Sequence, residues 1–215
     1  MRYTGPVSKR YDQYCPIAHA LELIGERWSL LIVRELLQGP KRYTDLAANL
    51  PRIGTNILAA RLKDLEGCGI VSKRRLDPPA ASQVYELTPY GLGIKPVMRE
   101  LALWGLRSLH APTDEDELAP GWLYGALDTV FAPVAPAGSF VFRIGAEVAS
   151  LANGEARPGA VDEPDVVVEA ADPAGFYYLF VERSWAGVAV EGDRALLEQL
   201  FDAAAAPMAP APVAA

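Results

Sequence analysis

The chain has 215 residues, 51% of them hydrophobic, enough to bury one large core or two small ones without covalent staples. Its two cysteines, Cys15 and Cys68, make neither a disulfide framework nor a zinc set. No apolar run is long enough to cross a bilayer, and residues 1–10 lack the apolar core of a secretion signal, so a cytoplasmic protein with no membrane partner is expected. The net charge of −7 hides an asymmetry: residues 1–111 carry 16 Lys+Arg against 10 Asp+Glu, whereas residues 112–215 carry 4 against 17. One part is suited to a polyanion and the other is not, which implies two domains.

Cys15-Pro16 predicts a helix start, because proline tolerates the first helical position, where its missing N–H is not needed. Ile17, Leu21 and Ile24 follow at helical spacing. After Gly25 a second helix is expected, with Trp28, Leu31, Ile32 and Leu36 as its apolar face, ending at Gly39-Pro40. Residues 44–50 read as a short third helix with Thr44 as its cap. Pro51-Arg52-Ile53-Gly54 makes a tight turn, and a fourth helix runs over residues 55–66, closed by Gly67 and Gly69. Two strand-like stretches follow at 70–76 and 83–87, joined by a turn-rich tip at 77–82. Thr88-Pro89 then opens a long helix to about residue 109. Its apolar residues Ile94, Val97, Met98, Leu101, Leu103, Trp104 and Leu106 are more than a lone terminal helix exposes, so a partner chain is expected to cover them.

Helix, short helix, turn, helix and two-stranded hairpin is the order of a winged helix-turn-helix, in which the second helix of the pair enters the major groove of double-stranded DNA. On the helical wheel of residues 55–66, Ile57, Leu58, Leu62 and Leu65 cluster and are expected to pack inward. Asn56 and Lys63 fall opposite, near Thr55, with Arg52 just ahead of the helix. Ala59 and Ala60 between them leave room for close approach to the groove. Asn56 suits a bidentate contact to adenine, and Lys63 a phosphate or guanine. Arg61 lies on the flank and either meets phosphate or braces the fold. The hairpin adds Lys73, Arg74 and Arg75, with Lys73 and Arg75 on one face of the strand and Arg74 on the other.

Cys15-Pro16-Ile17, Leu23-Ile24-Gly25-Glu26-Arg27-Trp28, Leu30-Leu31-Ile32-Val33-Arg34-Glu35-Leu36 and Gly39-Pro40-Lys41-Arg42-Tyr43-Thr44-Asp45-Leu46 resemble the HxlR-type helix-turn-helix family. So do Ile53-Gly54-Thr55-Asn56-Ile57-Leu58, Arg61-Leu62-Lys63-Asp64-Leu65-Glu66 and Tyr85-Glu86-Leu87-Thr88-Pro89-Tyr90-Gly91. The resemblance spans about residues 14–109. It implies a homodimer that binds inverted-repeat operators as a repressor, with the first helix and the helix from Thr88 forming the dimer interface. Gly54 departs from the serine common at that place in the family. Some members use a cysteine at the position of Cys15 to sense oxidants. Here Cys15, at a helix start with Lys9 and Arg10 close in sequence, is either such a sensor or a small half-buried hydrophobe. Cys68, in its Gly-flanked turn, is expected to be inert.

A boundary is expected at 111–120, through the acidic run at 114–117. Beyond it, 139–144 and 165–169 read as strands, with 147–151 and 187–190 weaker. Residues 122–130, 172–181 and 193–203 read as helices, the last with Leu196, Leu197, Leu200 and Phe201 on one face. The segments from Asn153-Gly154-Glu155 to Pro158-Gly159, Pro164-Asp165-Val166, the helix over 172–181, and from Val190-Glu191-Gly192 to Leu196 resemble a sterol-carrier-protein-2-type domain over about residues 131–201. That likeness implies room for a small apolar ligand between sheet and helices. Phe140, Phe142, Phe176, Tyr177, Phe180 and Trp185 are its candidate lining, or else plain core.

The expected fold class is therefore α+β: an N-terminal winged helix-turn-helix over 1–111, joined to a small mixed α+β sterol-carrier-protein-2-like domain over 121–203, with a frayed tail at 204–215. Neither His19 nor His110 sits in a nucleophile motif, and no metal-ligand spacing or phosphate loop occurs, so neither an enzyme nor a bound cofactor is expected. The alternative to a DNA-binding regulator is a lipid or small-molecule carrier that uses the helical domain to dimerise.

Overall fold

The computed structural model describes residues 10–79, 81–113, 116, 118, 120–134, 137–182, 184–185 and 187–204. Lys9, Ala80, most of the acidic run and the tail from residue 205 lie outside these. The chain divides between Pro96 and Val97 into two compact units.

The first unit contains α1 (Pro16–Ile24), α2 (Ser29–Leu37), α3 (Tyr43–Asn49), α4 (Thr55–Gly67), the antiparallel hairpin β1 (Val71–Arg75) and β2 (Gln83–Leu87), and the short α5 (Pro89–Leu92). Its core joins Ile32, Val33 and Leu36 to Leu46, to Leu58, Leu62 and Leu65, and to Val71, Val84 and Leu87 of the hairpin. Three expectations are corrected. Leu31 points outward and Val33 takes its place, because a helix that starts at Ser29 turns 32, 33 and 36 to the core. Trp28 sits ahead of that helix in the left-handed region, at φ 80°. Thr44 is not the cap of α3: Arg42 holds the cap position, and its N–H donates to the Asp45 carboxylate at 2.9 Å.

A fourth correction concerns the long helix expected from Thr88. It breaks after α5 and restarts as α6 (Lys95–Leu106). Pro96 has no N–H to offer the Leu92 carbonyl, and its ring crowds that oxygen, so the ladder cannot run through. Thr88 anchors the start: its hydroxyl donates to the Gly69 carbonyl at 2.6 Å and accepts the Gly91 N–H at 3.0 Å. Gly91 packs so closely that a Cβ there lies 2.1 Å from the Ile70 carbonyl oxygen.

The second unit is a five-stranded sheet with helices, its order β5 (Glu155–Pro158), β4 (Glu147–Ala152), β3 (Ser139–Ile144), β6 (Val166–Ala170), β7 (Val188–Gly192). Only the central β3–β6 pair is parallel. The Asp165 carboxylate accepts both the N–H and the hydroxyl of Ser139 at 2.8 Å, which clamps the start of β6 to β3 and holds that carboxyl below its ordinary range. The edge strand β5 escapes a hydropathy reading because Glu-Ala-Arg-Pro has no apolar alternation; one side of an edge strand faces water. Residues 122–130 do not form one α-helix. α7 (Trp122–Ala126) passes into a π-helical turn (Leu127–Phe131).

Alternation on β3 puts Phe140, Phe142 and Ile144 on one face, against α8 (Pro173–Phe180), α9 (Arg194–Ala204) and the π turn. The aromatic rings meet one another. Phe180 lies 3.9 Å from Phe176, 4.7 Å from Phe131, 4.9 Å from Phe201 and 5.7 Å from Phe142, centroid to centroid. Leu103 of α6, with Ala102 and Leu106, joins this core, whereas Val97, Leu101 and Trp104 are exposed. Part of the apolar surface expected to await a partner chain is thus covered within the chain itself.

Candidate nucleic-acid interface

The local chemistry of α4 positions the first group of candidate residues. Leu58, Leu62 and Leu65 seat the helix on the core, and the Tyr43 hydroxyl donates to the Thr55 carbonyl at 2.8 Å, tying its first turn to α3. Thr55, Asn56, Ala59, Ala60 and Lys63 are consequently exposed together. Lys63 has no ion pair among the described residues and is free to meet an anion. Arg52, exposed in the turn before α4, holds φ +70°, a conformation costing about 1–2 kcal/mol for a residue with a Cβ. Gly54 caps α4 without a side-chain hydrogen bond, so the first-turn N–H groups of the helix are uncovered by any capping side chain.

Ile57 departs from the wheel-based expectation. It is 47% exposed rather than buried, because the buried arc is the narrow one set by Leu58, Leu62 and Leu65.

The remaining cations are held within the chain. Arg61 is paired to Asp64 at 2.9 Å and to Glu26 at 3.5 Å, which is the bracing alternative of the two the sequence allowed. Lys73 reaches Glu66 at 2.8 Å and lies 5.5 Å from the Tyr85 ring centroid; the Glu66 hydrogen bond pushes its ammonium above the ordinary lysine range. Both Glu86 oxygens accept from the Arg74 Nε, at 3.1 and 3.0 Å. Arg75 donates to the Ala81 carbonyl at 3.3 Å. Among the described residues, Arg52 and Lys63 thus lie open at the start and outer face of α4, whereas Lys73 and Arg74 of the hairpin reach an outside anion only by leaving their carboxylates.

Sequence reasoning missed the buried polar cluster that sets this geometry. Glu35, 1% exposed in α2, accepts from Arg34 at 2.9 Å, from Lys41 at 2.8 Å and from Asn49 at 2.9 Å. Burial by itself raises its carboxyl, but the hydrogen bonds from Lys41 and Asn49 and the charges of Lys41 and Arg34 outweigh it, and the group lies below the usual glutamate range. Lys41 also pairs by backbone with Tyr85, at 3.0 and 2.8 Å. One carboxylate therefore ties α2 to the end of α3 and, through Lys41, to the hairpin. The signal in the sequence was an acidic residue on the apolar face of a helix, with Lys41 six positions on. Arg42, exposed at the start of α3, was also overlooked.

Cys15 is the half-buried cap residue of α1 and makes no side-chain capping hydrogen bond.

In a comparison with known protein families, the model of the HxlR-like helix-turn-helix matches residues 23–112. The HTH-type transcriptional regulator YodB of Bacillus subtilis is 36% identical over 91 residues, 42% of this chain and 81% of its own length. The chain belongs to the HxlR-like helix-turn-helix family. A second relative, the regulator sll1512 of Synechocystis, is also 36% identical, over 50% of this chain and 79% of its own. The solved reduced form of YodB aligns at 32% identity and a TM-score of 0.40, covering 47% of this chain and all of that one. As an HxlR-type protein this chain is a DNA-binding transcriptional regulator, and its relatives are regulators of transcription rather than enzymes. None of its described helices is long and apolar enough to cross a membrane.

Proposed function

We propose that this HxlR-type regulator acts as a homodimeric repressor on an inverted-repeat operator, reading bases with the first turns of α4. The observation that carries the reading is the exposed face of Thr55, Asn56, Ala59 and Lys63, with Arg52 ahead of it, whose cations have no ion pair among the described residues. Asn56 reads adenine; Arg52 and Lys63 meet phosphate or guanine; Arg75 follows the backbone beside the groove, and Lys73, Arg74 and Arg61 contribute only by leaving their carboxylates.

Two apolar stripes support dimerisation. Ile17 and Leu21 line the outside of α1, with Tyr14 just ahead of it, and Val97, Leu101 and Trp104 recur at helical spacing on α6; all six are exposed. Residues 121–203, within the second unit, are read as the sterol-carrier-protein-2-like domain, and residues 1–111 as the DNA-binding and dimerisation domain, whose last helix α6 also packs into the second unit's core. The mixed sheet with helices over its aromatic face supports that reading. A cavity of about 160 Å³ lined by Leu179, Trp185, Glu198, Phe201 and Asp202 touches only one of the expected lining residues, Trp185. An apolar effector larger than a few carbons therefore enters by parting Phe140, Phe142, Phe176 and Phe180, with Tyr177 on the outer side of α8. Oxidation of Cys15 at the start of α1 is the second proposed input, acting through the α1 stripe.

The test is a gel-shift titration on the intergenic DNA upstream of the gene, with sedimentation to read the oligomer. Nanomolar, salt-sensitive binding by a dimer, weakened by Asn56→Ala and Lys63→Ala, is the expected result. Binding that ignores both substitutions overturns the placement of the interface on α4. A monomer that stays monomeric on DNA overturns the dimer.

A further inference from the structure

We infer that Ile57 is a base-reading residue that recognises the 5-methyl group of a thymine in each half-site. The inference rests on the operator-binding role proposed above and adds to it a contact of a different chemistry.

Ile57 lies in the first turn of α4, three residues after the capping Gly54, and is exposed while the next residue, Leu58, is wholly buried. Its Cγ1 stands 3.9 Å from where a Gly54 Cβ would be, so the side chain lies over the open start of the helix rather than against the core. Its neighbours on this surface are Asn56 one position before and Ala60 one turn on, both exposed. About half of this branched aliphatic side chain faces water, where it gains nothing, and that half is available to an apolar partner.

Among the base edges of the major groove, the thymine methyl is the apolar feature, and aliphatic or methyl-bearing side chains are its complement. The charge arrangement favours the same reading. Lys73, Arg74 and Arg61 are engaged with carboxylates, so fewer cations compete for the groove floor and discrimination falls to the short side chains of the first turn. Asn56 supplies a hydrogen-bonding pair suited to adenine; Ile57, one residue on, supplies an apolar contact suited to the thymine of a neighbouring pair.

The experiment removes one methyl at a time from the DNA. The operator is selected from random duplexes with the full-length wild-type protein, and each thymine in it is then replaced singly by deoxyuridine, which keeps the hydrogen bonding and deletes the methyl. One position in each half-site is expected to weaken wild-type binding about fourfold, the equivalent of one buried methyl group. Ile57→Ala, at an exposed position, is expected to bind the thymine and deoxyuridine duplexes equally, and Ile57→Val to retain part of the difference. Wild-type protein indifferent to every replacement overturns the inference, as does Ile57→Ala or Ile57→Val with a sensitivity equal to or larger than the wild type's. Selection that enriches no duplex at all overturns the operator reading itself, an outcome distinct from enrichment without methyl sensitivity.

Discussion

Replacing Glu35 by glutamine tests whether one buried carboxylate holds α2, α3 and the hairpin in register. The substitution keeps the shape and one acceptor but removes the charge and turns an NH2 toward donors that already surround it. Breaking a buried pair by neutralising one partner commonly costs about 3–5 kcal/mol, and each hydrogen bond to a charged group contributes about 1.5–3 kcal/mol. Here Lys41 is 15% and Arg34 45% exposed in their side chains, so both stranded cations can turn toward water. That relief puts the expected loss lower, at about 2–3 kcal/mol. Urea unfolding, with hydrogen exchange followed on residues 29–50, reads the loss where it occurs.

The pH dependence has a definite sign. Because the folded-state carboxyl lies below its usual value, its stabilisation is present above about pH 4.3, the value for a free glutamate, and is lost as pH falls through the lower folded value. The gap between wild type and Glu35→Gln should therefore stay constant near neutrality and narrow in acid. A loss below about 0.5 kcal/mol, or a gap that widens as pH falls, refutes the role assigned to this carboxylate. Since Lys41 leads from Glu35 to the hairpin, the variant should also bind DNA more weakly in proportion to its lost stability.

Further outcomes follow from the same geometry. Gly91→Ala places a Cβ 2.1 Å from the Ile70 carbonyl oxygen, and thermal unfolding should show a loss of about 1–3 kcal/mol; an unchanged melting temperature refutes the close approach. Lys63→Ala should lower the slope of log affinity against log salt by about one, whereas Lys73→Ala, which removes a cation already paired with Glu66, should lower it less. The reverse order in salt titrations argues that the hairpin, not α4, carries the phosphate contacts. Leu197→Ala opens a cavity beneath α9 at a fully buried position and should cost the second unit about 2–5 kcal/mol by calorimetry, while DNA affinity changes far less.

Local periodicity and short signals along the chain suffice for the order of helices and hairpin, the outward face of Asn56 and Lys63, and the alternation that turns Phe140 and Phe142 to one side of a strand. These follow from backbone geometry alone, where neighbours in sequence share a face at spacings of 3.6 or 2. Tertiary structure decided the rest. Whether Ile57 or Val33 is inward turns on a margin of tens of degrees around a wheel, which the packing of the whole unit sets. Whether Lys73 and Arg74 are open or paired depends on Glu66 and Glu86, residues that reach them from elsewhere in the fold, whereas Arg61 is held first by Asp64 three positions on and then by Glu26. The tie from Glu35 to Lys41 and Asn49 is equally invisible along the chain, because a buried charge is tolerated only where partners converge on it in space.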